Sequence, residues 1–229
     1  MPQHGSGCAI SLRRCNGGAS SLETEMSMRT TVTMVAIVVA VAIAFAVGRL
    51  SAQEGAASCR FCPSTYIARS EIAAYEVLGR GDTSLIDQQI RALDIGKAQV
   101  EIALVHRDKL DAPGPRSVAT HDLVSEVYYI LSGSGTNRTG PDVVDSQRRP
   151  PDDRAVRLLN GPGANATDIR NAAEHELKAG DVLVIPAGTG HQFTKIDDHI
   201  TYLMIRIDPD KVAPLKTEAQ SKADLAGKP

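Results

Sequence analysis

The chain of 229 residues contains no tryptophan, and tyrosine and phenylalanine supply only five and three positions. A sugar-stacking platform, built from flat aromatic faces, therefore lacks its material. An excess of one charge is missing as well. The 25 Lys and Arg stand against 27 Asp and Glu, a net of −2, and the basic residues form no long block. Nothing in that distribution serves as an electrostatic footprint for nucleic acid, so no nucleic-acid partner is expected. Cysteine is scarce: Cys8, Cys15, Cys59 and Cys62. The last two bracket Arg60-Phe61 at the spacing of a redox dithiol, yet no thioredoxin-like unit follows them. A small local disulfide or two idle thiols in an oxidising compartment are the remaining readings.

Long apolar runs are scarce too, with one exception. Residues 30–48 carry no charge and are mostly Val, Ala and Ile, with Arg29 before them and Leu50-Ser51-Ala52 after. A cationic start, an apolar stretch and a small-residue exit predict a secretory signal peptide cut near Ala52. The run also falls within the roughly 17–25 residues that cross a bilayer, so an uncleaved anchor is the alternative. Arg13, Arg14 and Arg29 precede the run and only Arg49 follows it closely, which keeps the N-terminus in the cytoplasm and sends the remainder outside. The expected location is periplasmic or secreted, with a membrane tether only if the segment is uncut. Residues 1–27 show no hydrophobic period, and Met26 and Met28 offer alternative starts beside Arg29. The expected organisation is an extension with signal or anchor over 1–52, a linker and short helix over 53–83, a β domain over 84–208 and a flexible tail over 209–229.

Ser70 is a plausible N-cap, and apolar residues follow it at helical spacing, which predicts one short helix over 70–78. Strand signals dominate beyond it. Val100, Ile102, Leu104 and His106 alternate and are expected to share the inward face. The strongest strand covers 126–131, rich in Val, Tyr and Ile, and further short strands are expected at 182–185, 192–196 and 200–207. Residues 136–171 are rich in Asp, Arg, Pro and Gly and predict a flexible loop or a lid, with strand character only at 156–159. Arg138, Arg148 and Arg149 are its candidates for holding an anion. Many short strands between Gly and Pro turns indicate an all-β sandwich or barrel.

Two stretches carry the chemistry. In the first, His121 and Glu126 precede Gly133; in the second, Gly180, Pro186, Gly188 and His191 stand close together. Two imidazoles and a carboxylate are a ligand set for a divalent metal with open coordination positions. Glu126 lies inside a Val-Tyr-Tyr-Ile strand, where a buried carboxylate is costly unless it is neutralised or meets a cation. His106 and one of Tyr128 and Tyr129 are candidates for moving a proton. His175 and His199, in polar surroundings, are expected at the surface, and Asp122 either supports His121 or faces solvent.

These segments resemble the paired motifs of the cupin superfamily, jelly-roll β-barrels that bind a metal or ligand in the barrel mouth. His121 matches the second histidine of the first motif, Glu126 its glutamate and Gly133 its closing glycine. Gly180, Pro186, Gly188 and His191 match the second motif at every spacing. The resemblance covers roughly residues 84–208 and implies an all-β, cupin-type jelly-roll barrel. It further implies one divalent transition metal, with Fe, Mn, Ni and Zn not distinguished, held by His121, Glu126 and His191. The family's leading histidine falls at Ala119, and Lys195 stands near the usual asparagine, so the four-ligand set is incomplete. His106 is the expected replacement or acid–base group, with Tyr128 as the second tentative catalytic residue. The resemblance leaves two functions open: an exported metal-dependent enzyme of oxygenase, isomerase or lyase type acting on a small oxygenated metabolite, or a non-catalytic periplasmic module binding a small ligand or a protein. A small-molecule ligand is the expected partner, the membrane enters only through the N-terminal segment, and a homodimer is left open.

Overall fold

Val, Ile, Tyr and Thr recur from residue 87 to 208, and in the computed structural model this stretch forms eleven strands. The structure describes residues 31–42, 57–59, 62–81 and 86–227. The chain divides into two units, Met1–Ala56 and Ala57–Pro229. In the first, residues 31–42 form helix α1. The remainder of the expected export segment lies outside the described residues, and no described helix is long and apolar enough to cross a membrane.

The second unit opens with Cys59 and Cys62 joined as a disulfide. Helix α2 (Arg69–Gly81) follows and places Tyr75, buried with Ile90 and Leu104, against the first two strands. The strands are β1 (Asp87–Asp94), β2 (Gln99–Leu110), β3 (Val118–His121), β4 (Ser125–Gly140), β5 (Val143–Val144), β6 (Gln147–Arg148), β7 (Gly163–Ala166), β8 (Asp168–Ile169), β9 (Ala173–Lys178), β10 (Val182–Ile185) and β11 (Gly190–Asp208). Nine of them form one sheet and β5 pairs with β8.

Two long strands organise that sheet. The C-terminal part of β11 lies between β2 and the first half of β4, and β10 flanks that half of β4. The N-terminal part of β11 pairs with β3 and the second half of β4, which β9 flanks. Register shifts between Ile196 and Ile200 bend the pair in the middle. At the bend Gly133 has φ +74°, and a Cβ there would run into the His199 carbonyl, so only glycine fits. Two half-sheets thus share β4 and β11, and one apolar cluster gathers Ala103, Val105, Tyr128, Leu177, Leu183, Phe193 and Tyr202 from both. Among the described residues no ladder joins the outer strands β1, β6, β9 and β10 to one another, so the structure shows a mostly-β sheet with a few helices and does not show the expected barrel as closed.

Three further expectations are corrected. Residues 136–171 are not a loop: they carry the end of β4 and β5 to β8. Residues 156–159 belong to a π turn (Val156–Asn160), not a strand. The tail expected to be flexible contains α3 (Glu218–Leu225), started by a capping box in which Thr217 and Gln220 exchange hydrogen bonds. Its Ser221 is buried and hydrogen-bonds the Ile90 carbonyl, and Tyr75 Oη donates to the Ser221 carbonyl at 3.1 Å, so α2, α3 and β1 pack as a layer.

Candidate metal centre

Strand ends assemble the site. His121 closes β3, Glu126 is the second residue of β4 and His191 the second of β11. The turn before β11 is tied to the β3–β4 connection. Gly188 N–H donates to the His121 carbonyl at 2.7 Å, and Ala187 N–H to Ser125 Oγ at 3.0 Å. Gly188 has φ +81°, which explains a glycine in that turn. The matched glycine and proline positions therefore aim His191 rather than bind anything themselves.

All three expected metal-ligating side chains are buried, and one ligand-type atom from each lies within 4.8 Å of the others. His121 Nε2 stands 3.3 Å from Glu126 Oε1, and His191 Nε2 stands 3.5 Å from Glu126 Oε2. His191 Nδ1 faces the Thr189 carbonyl at 3.2 Å; with its proton there, the Nε2 lone pair is turned toward the carboxylate. Burial lowers the His191 pKa to about 4, against the opposing pull of Glu126, so the ring is neutral at neutral pH. For Glu126, burial pushes the pKa up, but His121, His191 and Arg206 outweigh it and hold the carboxyl well below its usual range. Since His191 is neutral above about pH 4, the dependable counter-charge is Arg206, whose Nε lies 3.7 Å from Oε1.

The donor set fits a divalent transition metal: two imidazole nitrogens and an ionised carboxylate converge in a buried place. Two features depart from a complete site. Ala119 pairs with His191 across the β3–β11 ladder and offers no ligand there. His121 Nδ1 is buried without a hydrogen-bond partner, where a ligating histidine usually donates its other N–H.

Of the two tentative proton-transfer residues, the structure brings one to the site. Tyr128, two residues along β4 from Glu126 and on the same face, donates its hydroxyl to Glu126 Oε2 at 2.8 Å. Burial, then the neighbouring carboxylate, raises its pKa well above the ordinary phenol value, so it stays protonated. Tyr129 points outward. His106 is a correction. It shares the face of Leu104, which packs under α2, whereas Ala103 and Val105 face the core with Tyr128. There His106 Nδ1 meets Thr201 Oγ1 at 2.7 Å, its ring stacks on His199, and it lines a cavity of about 210 Å³ with Gly79 and Ile86. Its place is behind the sheet, not among the three ligand residues.

The arginines of the insertion are engaged with protein. Arg138 binds Asp168 at 2.9 Å, Arg148 binds Asp122 at 2.6 Å, and Arg149 binds Asn165 Oδ1 at 2.6 Å and the Thr120 carbonyl at 3.0 Å. Two neighbours of Glu126 had not been foreseen. Asn160, at the end of the π turn, is buried and places Nδ2 2.7 Å from Glu126 Oε1 and 3.2 Å from His121 Nε2. Arg206, fully buried, contacts Asp87 and lies 3.7 Å from Glu101 Oε2 as well as beside Glu126. A lone Asn in a Gly-Pro-containing stretch gives no sequence signal, but Glu101 and Arg206, charges inside apolar strands, did.

Residues 170–227, which include His191, match the AraC-like ligand binding domain family. No curated protein matches the chain closely enough to stand as a relative. Among solved structures, a protein from Bacillus halodurans is similar at 14% identity, covering 71% of this chain and 97% of its own, with a TM-score of 0.36. A cupin protein from Bacteroides fragilis is similar at 19% identity over 69% and 93% of the two chains, TM-score 0.31. The EutQ protein of Clostridium difficile is similar at 12% identity over 54% and 68%, TM-score 0.30.

Proposed function

From a cupin fold of the AraC-like ligand-binding kind, we propose an exported protein in which His121, Glu126 and His191 hold one divalent transition metal, Fe, Mn, Ni or Zn. Its work is on a small oxygenated metabolite, in a reaction of oxygenase, isomerase or lyase type. The observation that carries this reading is the convergence of three buried ligand-type side chains from three strand ends. An ion bound there supplies Lewis acidity to a carboxylate, enediol or catechol-like oxygen pair.

The chain's own residues then have defined tasks. The Thr189 carbonyl fixes the tautomer of His191 and so the direction of its free lone pair. Arg206 keeps Glu126 ionised before any cation arrives. Tyr128, protonated throughout the physiological range, is an acid rather than a base, and its hydroxyl is the proton source beside Glu126. Metal analysis of protein purified without a histidine tag tests the reading, with His121→Ala and His191→Ala as controls. Metal in the wild type and its loss in both variants is expected; no metal in wild type before or after reconstitution refutes it.

A second reading is favoured by Ala119 and by the matched domain being a ligand-binding one: a non-catalytic periplasmic module that takes up a small molecule. Small-molecule binding that persists in His191→Ala and in chelator supports it over the enzyme. Export is tested separately. A reporter fused after residue 60 is expected to be active only outside the cytoplasm, and a cytoplasmic signal overturns that expectation. If the segment is cut, mass spectrometry finds an N-terminus near Gln53.

A further inference from the structure

Ala119 leaves the centre one side chain short, and another element reaches the gap. The π turn Val156–Asn160 ends in Asn160, and π turns of this kind recur at functional sites. Its placement is enforced by the residues that follow it. Gly161 follows with φ +63°, where a Cβ would collide with Val212, so this position requires glycine. Beyond it, the Pro162 carbonyl accepts from Asp122 N–H at 2.9 Å, and Gly163 pairs with His121 in the β3–β7 ladder. The segment that carries Asn160 is thereby locked to the strand that carries His121.

Asn160 does not fill a space at random. Its amide NH2 faces Glu126 Oε1 and His121 Nε2, which belong to two of the three residues that could hold a cation. A partly positive NH2 satisfies the same lone pairs that a metal ion would take. The other end of the same amide is an oxygen, and a half-turn about its terminal torsion exchanges the two. Carboxamide oxygen is an ordinary hard ligand for divalent ions.

We propose that Asn160 is the fourth protein ligand of the centre, supplied by the inserted segment in place of the histidine absent at Ala119. With a divalent ion bound, its Oδ1 would join His121, Glu126 and His191. The proposal rests on the metal-binding reading above.

Calorimetric titration with Mn(II), or with Zn(II) or Ni(II) where wild type does not take Mn(II), decides it, using wild type, Asn160→Ala, Asn160→Asp and His191→Ala in the full chain freed of metal. As a ligand, Asn160 predicts at least about a tenfold loss of affinity in Asn160→Ala. Asn160→Asp, the same size with a permanent oxygen, is expected to bind as tightly as wild type or tighter, and to gain more in melting temperature from Mn(II) than wild type does. If the amide merely donates a hydrogen bond that orients Glu126, Asn160→Asp loses affinity, because a carboxylate has no such donor. If the amide merely blocks the site, Asn160→Ala binds more tightly. Either result overturns the assignment while leaving the metal centre intact. No Mn(II), Zn(II) or Ni(II) binding by wild type overturns the metal reading and this assignment with it.

Discussion

Replacing Glu101 with glutamine is expected to abolish a pH dependence of stability that the wild type shows between pH 6.5 and 8. Glu101 lies on β2 with no exposed surface, and neither carboxyl oxygen has a hydrogen-bond partner. Burial raises its pKa to about 8, Arg206 opposing, with Asp208, Asp87 and Glu126 adding to the rise. Below pH 8 the folded protein therefore keeps a proton that the unfolded chain, with an ordinary carboxyl, has released. The folded state binds more protons in that window, so stability falls as pH rises, by about 1.4 kcal/mol per pH unit. His191 works in the opposite sense. Its pKa of about 4 in the folded state makes stability rise with pH up to its unfolded value near 6.5. The two slopes offset each other below pH 6.5, and only Glu101 acts above it. From pH 6.5 to 8 the wild type should lose about 2 kcal/mol, or roughly 5 °C in melting temperature for a domain of this size. Glutamine reproduces the protonated shape without titrating. Urea and thermal unfolding of both proteins in chelator at pH 6.5, 7.2 and 8 give the comparison. The same slope in wild type and Glu101→Gln refutes the reasoning.

Arg206→Met leaves Asp87 and Glu126 without their buried counter-charge and is expected to cost about 3–5 kcal/mol, read by urea unfolding at pH 7. A loss below about 1 kcal/mol would show that water reaches those carboxylates. Gly161→Ala forces a side chain into a left-handed backbone position against Val212 and is expected to cost at least about 1–2 kcal/mol by the same measurement. Stripping metal with chelator is expected to leave the far-ultraviolet circular dichroism unchanged, because Arg206 already balances Glu126. Loss of strand signal in chelator contradicts that.

Much of the fold was legible because β-branched and aromatic residues mark β2, β4, β10 and β11, and because the apolar spacing after Ser70 marks α2; Ser70 itself is not the cap, since the helix starts at Arg69 and the Ala68 carbonyl accepts its first hydrogen bonds. Less legible was which face of β2 looks inward. Ala103 and Val105 pack in the core while Leu104 packs under α2, so both faces are apolar and alternation cannot choose between them. The choice of Ile102, Leu104 and His106 as the inward set follows from that ambiguity, and so does the misplacement of His106. The insertion was misread for a related reason. Its strands β5 to β8 are two to four residues long, too short for any period to emerge, and they are held by pairing with β3 and with one another. The tail looked polar because α3 contributes only one fully buried residue, Ser221, whose role is a hydrogen bond rather than apolar burial.

At the site, fixed spacings located His121, Glu126 and His191, and the i, i+2 rule along β4 brought Tyr128 to the same face as Glu126. The inference from Glu126 to a metal used a general premise: a charge inside an apolar strand needs a partner. Applied evenly, that premise also singles out Glu101 in β2 and Arg206 in β11, which face each other in the ladder. Arg206 is then a partner for Glu126 that involves no metal. Burial of Glu126 by itself is consequently weaker support for a metal than the sequence suggested, because the protein already neutralises it. The support comes instead from what Arg206 does not explain. It contacts one edge of the carboxylate, while His121 and His191 converge on it with Nε2 atoms 3.3 and 3.5 Å away. Two imidazoles that converge on a carboxylate with its own counter-ion are the arrangement a divalent ion would use.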